Sequence, residues 1–458
     1  MKAVVVAGVA SGVGKTTIAT GLMAALTARG RRVQGFKVGP DYIDPSYHTQ
    51  VTGRPSRNLD SWLLPARTLR ALFARAAADA DVAIVEGVMG LYDGRHGAGE
   101  QASTAEVAKL LDLPVVLVVD VSRQARSAAA TVLGFRLLDP DVRLVGVILN
   151  RVGSERHRAA AVEAIEAATG LPVLGALARE GGLAVPERYL GLVPRFENPT
   201  GGEYFGRAAA AIARGVNLDG LLARCETALP APAAMDSPFP PRPLPPRARL
   251  AVARDRAFGF YYADALDLLA GHGLELAEFS PLADGALPRD TDGVLLGGGF
   301  PELFAADLAA NRPLLRQLRS AARRGLPLYA ECGGLMYLAR TLVDAQGTRH
   351  RLAGLVPAEV SLRDARLTLG YREATAAADS LLLRQGEQVR AHEFHYSRIL
   401  PAAPAQPAYA VSRREPATEG HASGALLASY LHLHLACAPW LAARLADACA
   451  AWRARRAA

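Results

Sequence analysis

Ten residues near the start of the chain constrain it more than any others. Gly8-Val9-Ala10-Ser11-Gly12-Val13-Gly14-Lys15-Thr16-Thr17 follows an apolar run, Ala3 to Ala7, and precedes a stretch with helical spacing, Ile18 to Leu26. Strand, glycine-rich turn and helix together make the setting of a phosphate-binding loop. Gly12 and Gly14 let backbone N–H groups curl around phosphate oxygens, and the helix N-terminus adds positive partial charge. Lys15 is placed to reach the outer phosphates, the Thr16 hydroxyl to ligate Mg²⁺, and Thr17 to line the same pocket. The spacing departs from the strict motif, because its first glycine would fall where the chain has Val9.

Further strands end in chemistry-bearing residues. Arg32 to Gly39 runs into Pro40-Asp41-Tyr42-Ile43-Asp44-Pro45, placing Lys37, Asp41 and Asp44 at a strand's C-terminal end. Open α/β sheets bind ligands there, so these groups can position Mg²⁺ or meet a substrate; Asp-Pro and Pro-Asp are also ordinary turn formers. Asp81 to Val85 ends in Glu86, the place for a second Mg²⁺-ordering acid, with Asp93 as a further acid near the substrate. Strands Leu113–Asp120 and Val142–Arg151 follow, the second ending in Asn150, which reads equally as an adenine contact or a turn residue. Ala-rich helical stretches alternate with these strands, which predicts a parallel, doubly wound sheet over residues 1–215.

A chain of 458 residues exceeds what one core holds. Proline density over 228–247 rules out helix and sheet interior, so 216–247 is expected to be a spacer and 248–458 a second domain. The net charge of +8 is dispersed, without a Lys/Arg run interleaved with aromatics. That argues against nucleic acid and for an anionic small molecule. The four cysteines lack paired metal or disulfide spacing, and no long uncharged apolar run suggests a membrane span. A soluble cytoplasmic protein is expected, with a homodimer possible.

The second half carries a separate chemistry. Strand Asp292–Leu296 leads into Gly297-Gly298-Gly299, and strand Leu326–Glu331 leads into Cys332-Gly333-Gly334. A cysteine on a sharp strand-to-helix turn is a nucleophile elbow, whose thiol the helix N-terminus is expected to push toward thiolate. Backbone N–H groups of Gly298, Gly299 and Gly333 can form an oxyanion hole. Histidines cluster late, at His392 and His395 and again at His432 and His434.

Together these residues resemble the cobyrinic acid a,c-diamide synthase family, including its hydrogenobyrinic acid version. The resemblance rests on Gly8–Thr17, Lys37–Pro45, Glu86–Gly94, Gly297–Glu302, Ala330–Gly334, His392–Ser397 and Ser429–His432, in that order along nearly the whole chain. It implies a dethiobiotin-synthetase-like P-loop domain joined to a class I glutamine amidotransferase domain. It implies ATP and Mg²⁺, L-glutamine as nitrogen donor and a corrin polycarboxylate substrate. It places Gly12, Gly14, Lys15, Thr16, Thr17 and Asn150 at ATP, and Thr16, Asp41 and Glu86 at Mg²⁺. Lys37, Tyr42, Asp44 and Asp93 fall at the phosphoryl-transfer site, and Cys332 with His432 at the glutamine site. Related amidotransferases carry Glu two residues after the histidine, where this chain has His434; the triad is incomplete and a dyad of Cys332 and His432 is expected, with Glu393 as a candidate support for His432. Two other readings stay open: amidation of another tetrapyrrole such as nickel sirohydrochlorin, or of a different corrin carboxylate as in cobyric acid synthase, and a ParA-like switch ATPase. The switch reading lacks the early loop lysine, replaced here by Ala10, and leaves Cys332 without a task.

Overall fold

The computed structural model describes residues 1–95, 99–179, 187–188, 191–192, 201–228, 237–401, 404–412 and 417–457. The chain forms two compact units, Met1–Ser237 and Pro238–Ala458. The first unit contains, in order, β1 (Lys2–Gly8), α1 (Lys15–Ala28), β2 (Val33–Val38), α2 (Ile43–Thr52), β3 (Arg57–Leu59), α3 (Ala66–Ala77), β4 (Val82–Glu86), α4 (Thr104–Leu110), β5 (Val115–Asp120), α5 (Ser127–Leu138), β6 (Leu144–Val152), α6 (Glu155–Thr169) and β7 (Val173–Ala178). Their seven strands make one sheet in the order β3-β2-β4-β1-β5-β6-β7, and every pairing is parallel.

Such a sheet is covered on both faces, which is why its strands read as unbroken Val/Ile runs rather than alternating ones. Val4 and Val6 of β1, Val82 and Ile84 of β4, Val116 and Val118 of β5 pack under Ile18, Leu22 and Leu26 of α1. In register, Glu86 pairs with Val6 on one side and Lys37 on the other. The carboxyl ends of β1, β2 and β4 therefore lie side by side, which collects the charged ends of three distant segments.

The expected spacer starts too early. Val216 pairs with Gly175 as an isolated bridge, Leu218–Ala223 is helical, and the Ala3 N–H donates to the Cys225 carbonyl at 2.8 Å. Residues 216–228 thus complete the first unit, because Leu218, Leu221 and Cys225 are apolar and have a core to bury against. Residues 229–236 of the proline-rich stretch lie outside the described residues. After them the backbone is tied down again: Leu244 N–H bonds to Gly271 O and Arg247 N–H to Gly273 O.

In the second unit, five parallel strands in the order Leu274–Phe279, Ala248–Ala253, Gly293–Leu296, Leu328–Glu331 and Leu426–Ser429 are capped by antiparallel His421–Ser423. A second, antiparallel sheet includes Thr368–Ala376, Gln388–His395 and Leu431–Leu433. The chain leaves one sheet at Ser429 and enters the other at Leu431, so His432 is delivered beside the end of Leu328–Glu331.

Candidate active sites

The phosphate loop needs positive backbone torsions at two points, and both are glycine: Gly12 at φ 75° and Gly14 at φ 96°. A side chain at Gly14 would also strike Asn150, whose Nδ2 lies 2.2 Å from where a Cβ would sit. Lys15 is buried and folded back onto the loop, its Nζ donating to the Ala10 carbonyl at 2.9 Å. Burial, and then the charge of Lys37, push its ammonium down to about 8.

Beside the loop lies a compact charged cluster. The Thr16 hydroxyl donates to Glu86 Oε1 at 2.5 Å and lies 3.4 Å from Asp44 Oδ2. Lys37 Nζ bridges the two acids, 2.6 Å from Asp44 and 2.9 Å from Glu86. The other Glu86 oxygen meets His48 Nε2 at 2.7 Å, deep in the core. Burial works against ionising Glu86, but Lys37, His48 and Thr16 outweigh it and hold its carboxyl well below the usual carboxylate range. Asp44 goes the other way: burial, with Asp41 and Glu86 adding negative charge nearby, raises its carboxyl above the ordinary value. Lys37 stays firmly protonated, since Asp44, Glu86 and Asp41 overcome its burial.

The other expected site residues have these surroundings. Asp41 Oδ1, expected at Mg²⁺, accepts from the N–H groups of Ile43 at 2.7 Å and Asp44 at 3.2 Å, while Asp44 is the acid 3.4 Å from the Thr16 hydroxyl. Tyr42 leads directly into α2. Asn150 Nδ2 donates to the Val13 carbonyl at 2.8 Å, and its Oδ1 accepts from Arg151 N–H at 2.9 Å. It therefore braces the loop from behind. Asp93 Oδ2 accepts from Gly90 N–H at 2.8 Å, and its charge reaches Lys15. Thr17 lies next to Tyr204. Two contributors had no local signal: His48, and Asn58, whose Nδ2 holds the Gly39 and Asp41 carbonyls at 2.9 and 2.6 Å. His48 lies within α2 and Asn58 within β3.

In the second unit, Cys332 sits at φ 47°, ψ −102°, a strained conformation for a residue with a side chain. Its N–H is held by the Ser429 carbonyl at 2.7 Å, and its thiol lies 3.5 Å from the Phe394 carbonyl. The expectation of a thiol tuned toward thiolate fails here. Burial, and next Glu302, push the Cys332 thiol up, and the Gly333 N–H offsets only part of this. The helix that begins at Gly333 has only six residues, so little dipole opposes the desolvation.

His432 is almost fully buried and lies against Gly298: a Cβ at 298 would be 2.6 Å from the ring's Cε1. Gly299 N comes within 3.1 Å of where a Gly333 Cβ would stand, so the two turns adjoin closely. The acid facing His432 Nδ1 is Glu331, at 3.5 Å. Glu393, the candidate support for the expected dyad, is engaged by Arg372 at 2.8 Å and His395 at 3.0 Å. His434 stacks on Tyr262, with ring centres 4.5 Å apart.

Comparison with known proteins fits this division. Residues 4–190 match the family described as CobQ/CobB/MinD/ParA nucleotide binding domain, and residues 249–440 the CobB/CobQ-like glutamine amidotransferase domain. Fold and sites thus define an amide-forming ligase that binds a nucleotide and draws nitrogen from glutamine. The chain is 44% identical to the cobyrinate a,c-diamide synthase of Dehalococcoides mccartyi, covering 96% of each chain. It is 45% identical to the hydrogenobyrinate a,c-diamide synthase of Streptomyces coelicolor over 97% of each, and 47% identical to the cobyrinate a,c-diamide synthase of Gloeobacter violaceus over 98% of this chain and 97% of that one. The chain belongs to the cobyrinate and hydrogenobyrinate a,c-diamide synthase family.

Proposed function

We propose that this chain amidates the a and c acetate carboxylates of cobyrinic or hydrogenobyrinic acid in cobalamin biosynthesis, using ATP and glutamine. The observation that carries the reading is a phosphate loop backed by the Lys37–Glu86–Asp44 cluster in the same chain as Cys332 on its strained elbow. A nucleotide switch has no use for the second of these.

A carboxylate is a poor acyl donor until it is phosphorylated. A substrate carboxylate attacks the γ-phosphorus, ADP leaves, and the acyl phosphate then loses inorganic phosphate to ammonia, giving the amide. Lys15 and Lys37 neutralise charge gathering on the transferred group. Thr16, Asp44 and Glu86 offer only oxygen donors, which suits Mg²⁺, and Asp41 lies close enough to affect their charge. Bound Mg²⁺ supplies charge neutralisation of the phosphates. At the other site, Cys332 Sγ attacks the glutamine side-chain amide. The carbon–nitrogen bond breaks, ammonia departs with the proton that His432 removed from sulfur, and water hydrolyses the γ-glutamyl thioester.

The reading includes a cytoplasmic setting, supported by four cysteines that all remain thiols. Among the described residues no helix is long and apolar enough to cross a membrane. No role for nucleic acid follows from it, and a homodimer remains compatible with it. The test supplies cobyrinic acid, hydrogenobyrinic acid and nickel sirohydrochlorin side by side with ATP and glutamine. Each conversion exchanges a hydroxyl for an amino group, so product mass counts the amidations. Two on a corrin support the reading; none on either corrin, or two on sirohydrochlorin alone, overturns it.

A further inference from the structure

The second unit lacks an acid two residues after its histidine, yet it buries one directly before its cysteine. Glu331 ends the strand that presents Cys332, and both of its oxygens are engaged in a definite way. Oε1 accepts the N–H of Leu433 at 3.0 Å and the hydroxyl of Tyr329. With that oxygen anchored by a backbone group and a phenol, Oε2 is turned to His432 Nδ1 at 3.5 Å. Leu433 is the neighbour of His432, so one carboxylate fixes both the backbone and the ring of the histidine segment.

We propose that Glu331 is the positioning residue of the glutamine site. Its Oε2 accepts a hydrogen bond from the Nδ1–H of His432, which keeps that proton on Nδ1 and leaves the Nε2 lone pair to receive the proton of Cys332 Sγ. In a triad the acid's work is to select the tautomer and to stabilise the imidazolium that forms on proton transfer. A carboxylate reaching back from the position before the nucleophile does the same work as one placed after the histidine. A resting distance of this length tightens into a hydrogen bond when substrate seats. Glu393 is not available for the task in the same way, since Arg372 and His395 already claim it. The step balances simply. The thiol proton moves to Nε2, sulfur bonds to the amide carbon, and the proton leaves with ammonia as the carbon–nitrogen bond breaks.

This inference rests on the glutamine-dependent reading above. In the full chain, Glu331→Gln should lower glutamine-dependent kcat by about 10²-fold, leave KM for glutamine within about twofold, and leave amidation with added ammonia intact. Glu331→Asp, which keeps the charge on a shorter arm, should recover part of the loss. Glu331→Gln retaining more than about a third of the wild-type kcat overturns the proposal. So does an equal loss in Glu331→Asp and Glu331→Gln. A measurement on the unaltered chain decides the matter if the variants fold poorly: ¹⁵N spectra, with His432 assigned by difference, should show the Nδ1-protonated tautomer, and the Nε2-protonated form overturns it. Failure of the wider reading looks different, because then the wild-type chain itself releases no ammonia from glutamine.

Discussion

At the scale of single residues, buried histidines show how far environment overrides intrinsic acidity. His392 pairs in register with His432 across two strands. Burial, and then the positive charge that His432 and Arg372 would present to it, push its pKa from 6.5 down to about 3. The unfolded chain therefore takes up a proton below pH 6.5 that the folded chain refuses until far lower pH, and stability is lost as pH falls. Between pH 7 and 5 this one ring should cost about 2 kcal/mol. His392→Gln should flatten that loss, read from hydrogen exchange of strand Gln388–His395 in the full chain; an unchanged slope would refute it. The same physics explains the misjudged thiol. From sequence, Cys332 followed by two glycines has the form of an activated nucleophile, and its position is indeed an elbow. Its burial, and the acid at Glu302, come from segments whose proximity no local pattern announces.

At the scale of elements, the legible parts were those encoded locally. A Val/Ile run, a glycine turn and a helix lie within thirty residues, so the phosphate loop was readable with its ends nearly in place. Side-chain partners across the sheet were not. Glu331 and His432 are separated by 101 residues, Glu86 and His48 by 38, Asn150 and Val13 by 137. Asn150 shows the consequence, since the strand end that suggests a ligand contact says nothing of the bond its amide makes to the loop carbonyl of Val13. Removing that hydrogen bond should loosen the loop by about 1 kcal/mol. Asn150→Ala is thus expected to raise the Kd for ATP and for base-free tripolyphosphate alike, by about fivefold. A loss confined to ATP, measured by calorimetry, would restore the adenine contact instead.

At the scale of the whole molecule, the two chemistries separate by substitution. Cys332→Ser should abolish glutamine use, yet leave amidation with added ammonia, because the acyl phosphate forms in the other unit. Lys15→Ala should stop amidation from either nitrogen source. Product formation by Lys15→Ala with ammonia would remove the phosphorylation step, and loss of both routes in Cys332→Ser would remove the division of labour. Domain order was readable from the proline-rich stretch, but its edges were not: apolar residues such as Leu218 and Cys225 look dispensable until the core they close is seen.

That closing segment bears on how the protein is made. β1 leaves the ribosome before the other six strands of its sheet, yet it occupies the middle of the finished sheet, and the Ala3 amide bonds to Cys225 while Thr227 reaches back to Met1. The strand finds its ladder partners in β4 and β5, but its first residues wait for the segment around Cys225. The nucleotide unit cannot close piecemeal as it emerges; it becomes whole at about the moment the amidotransferase half begins to appear.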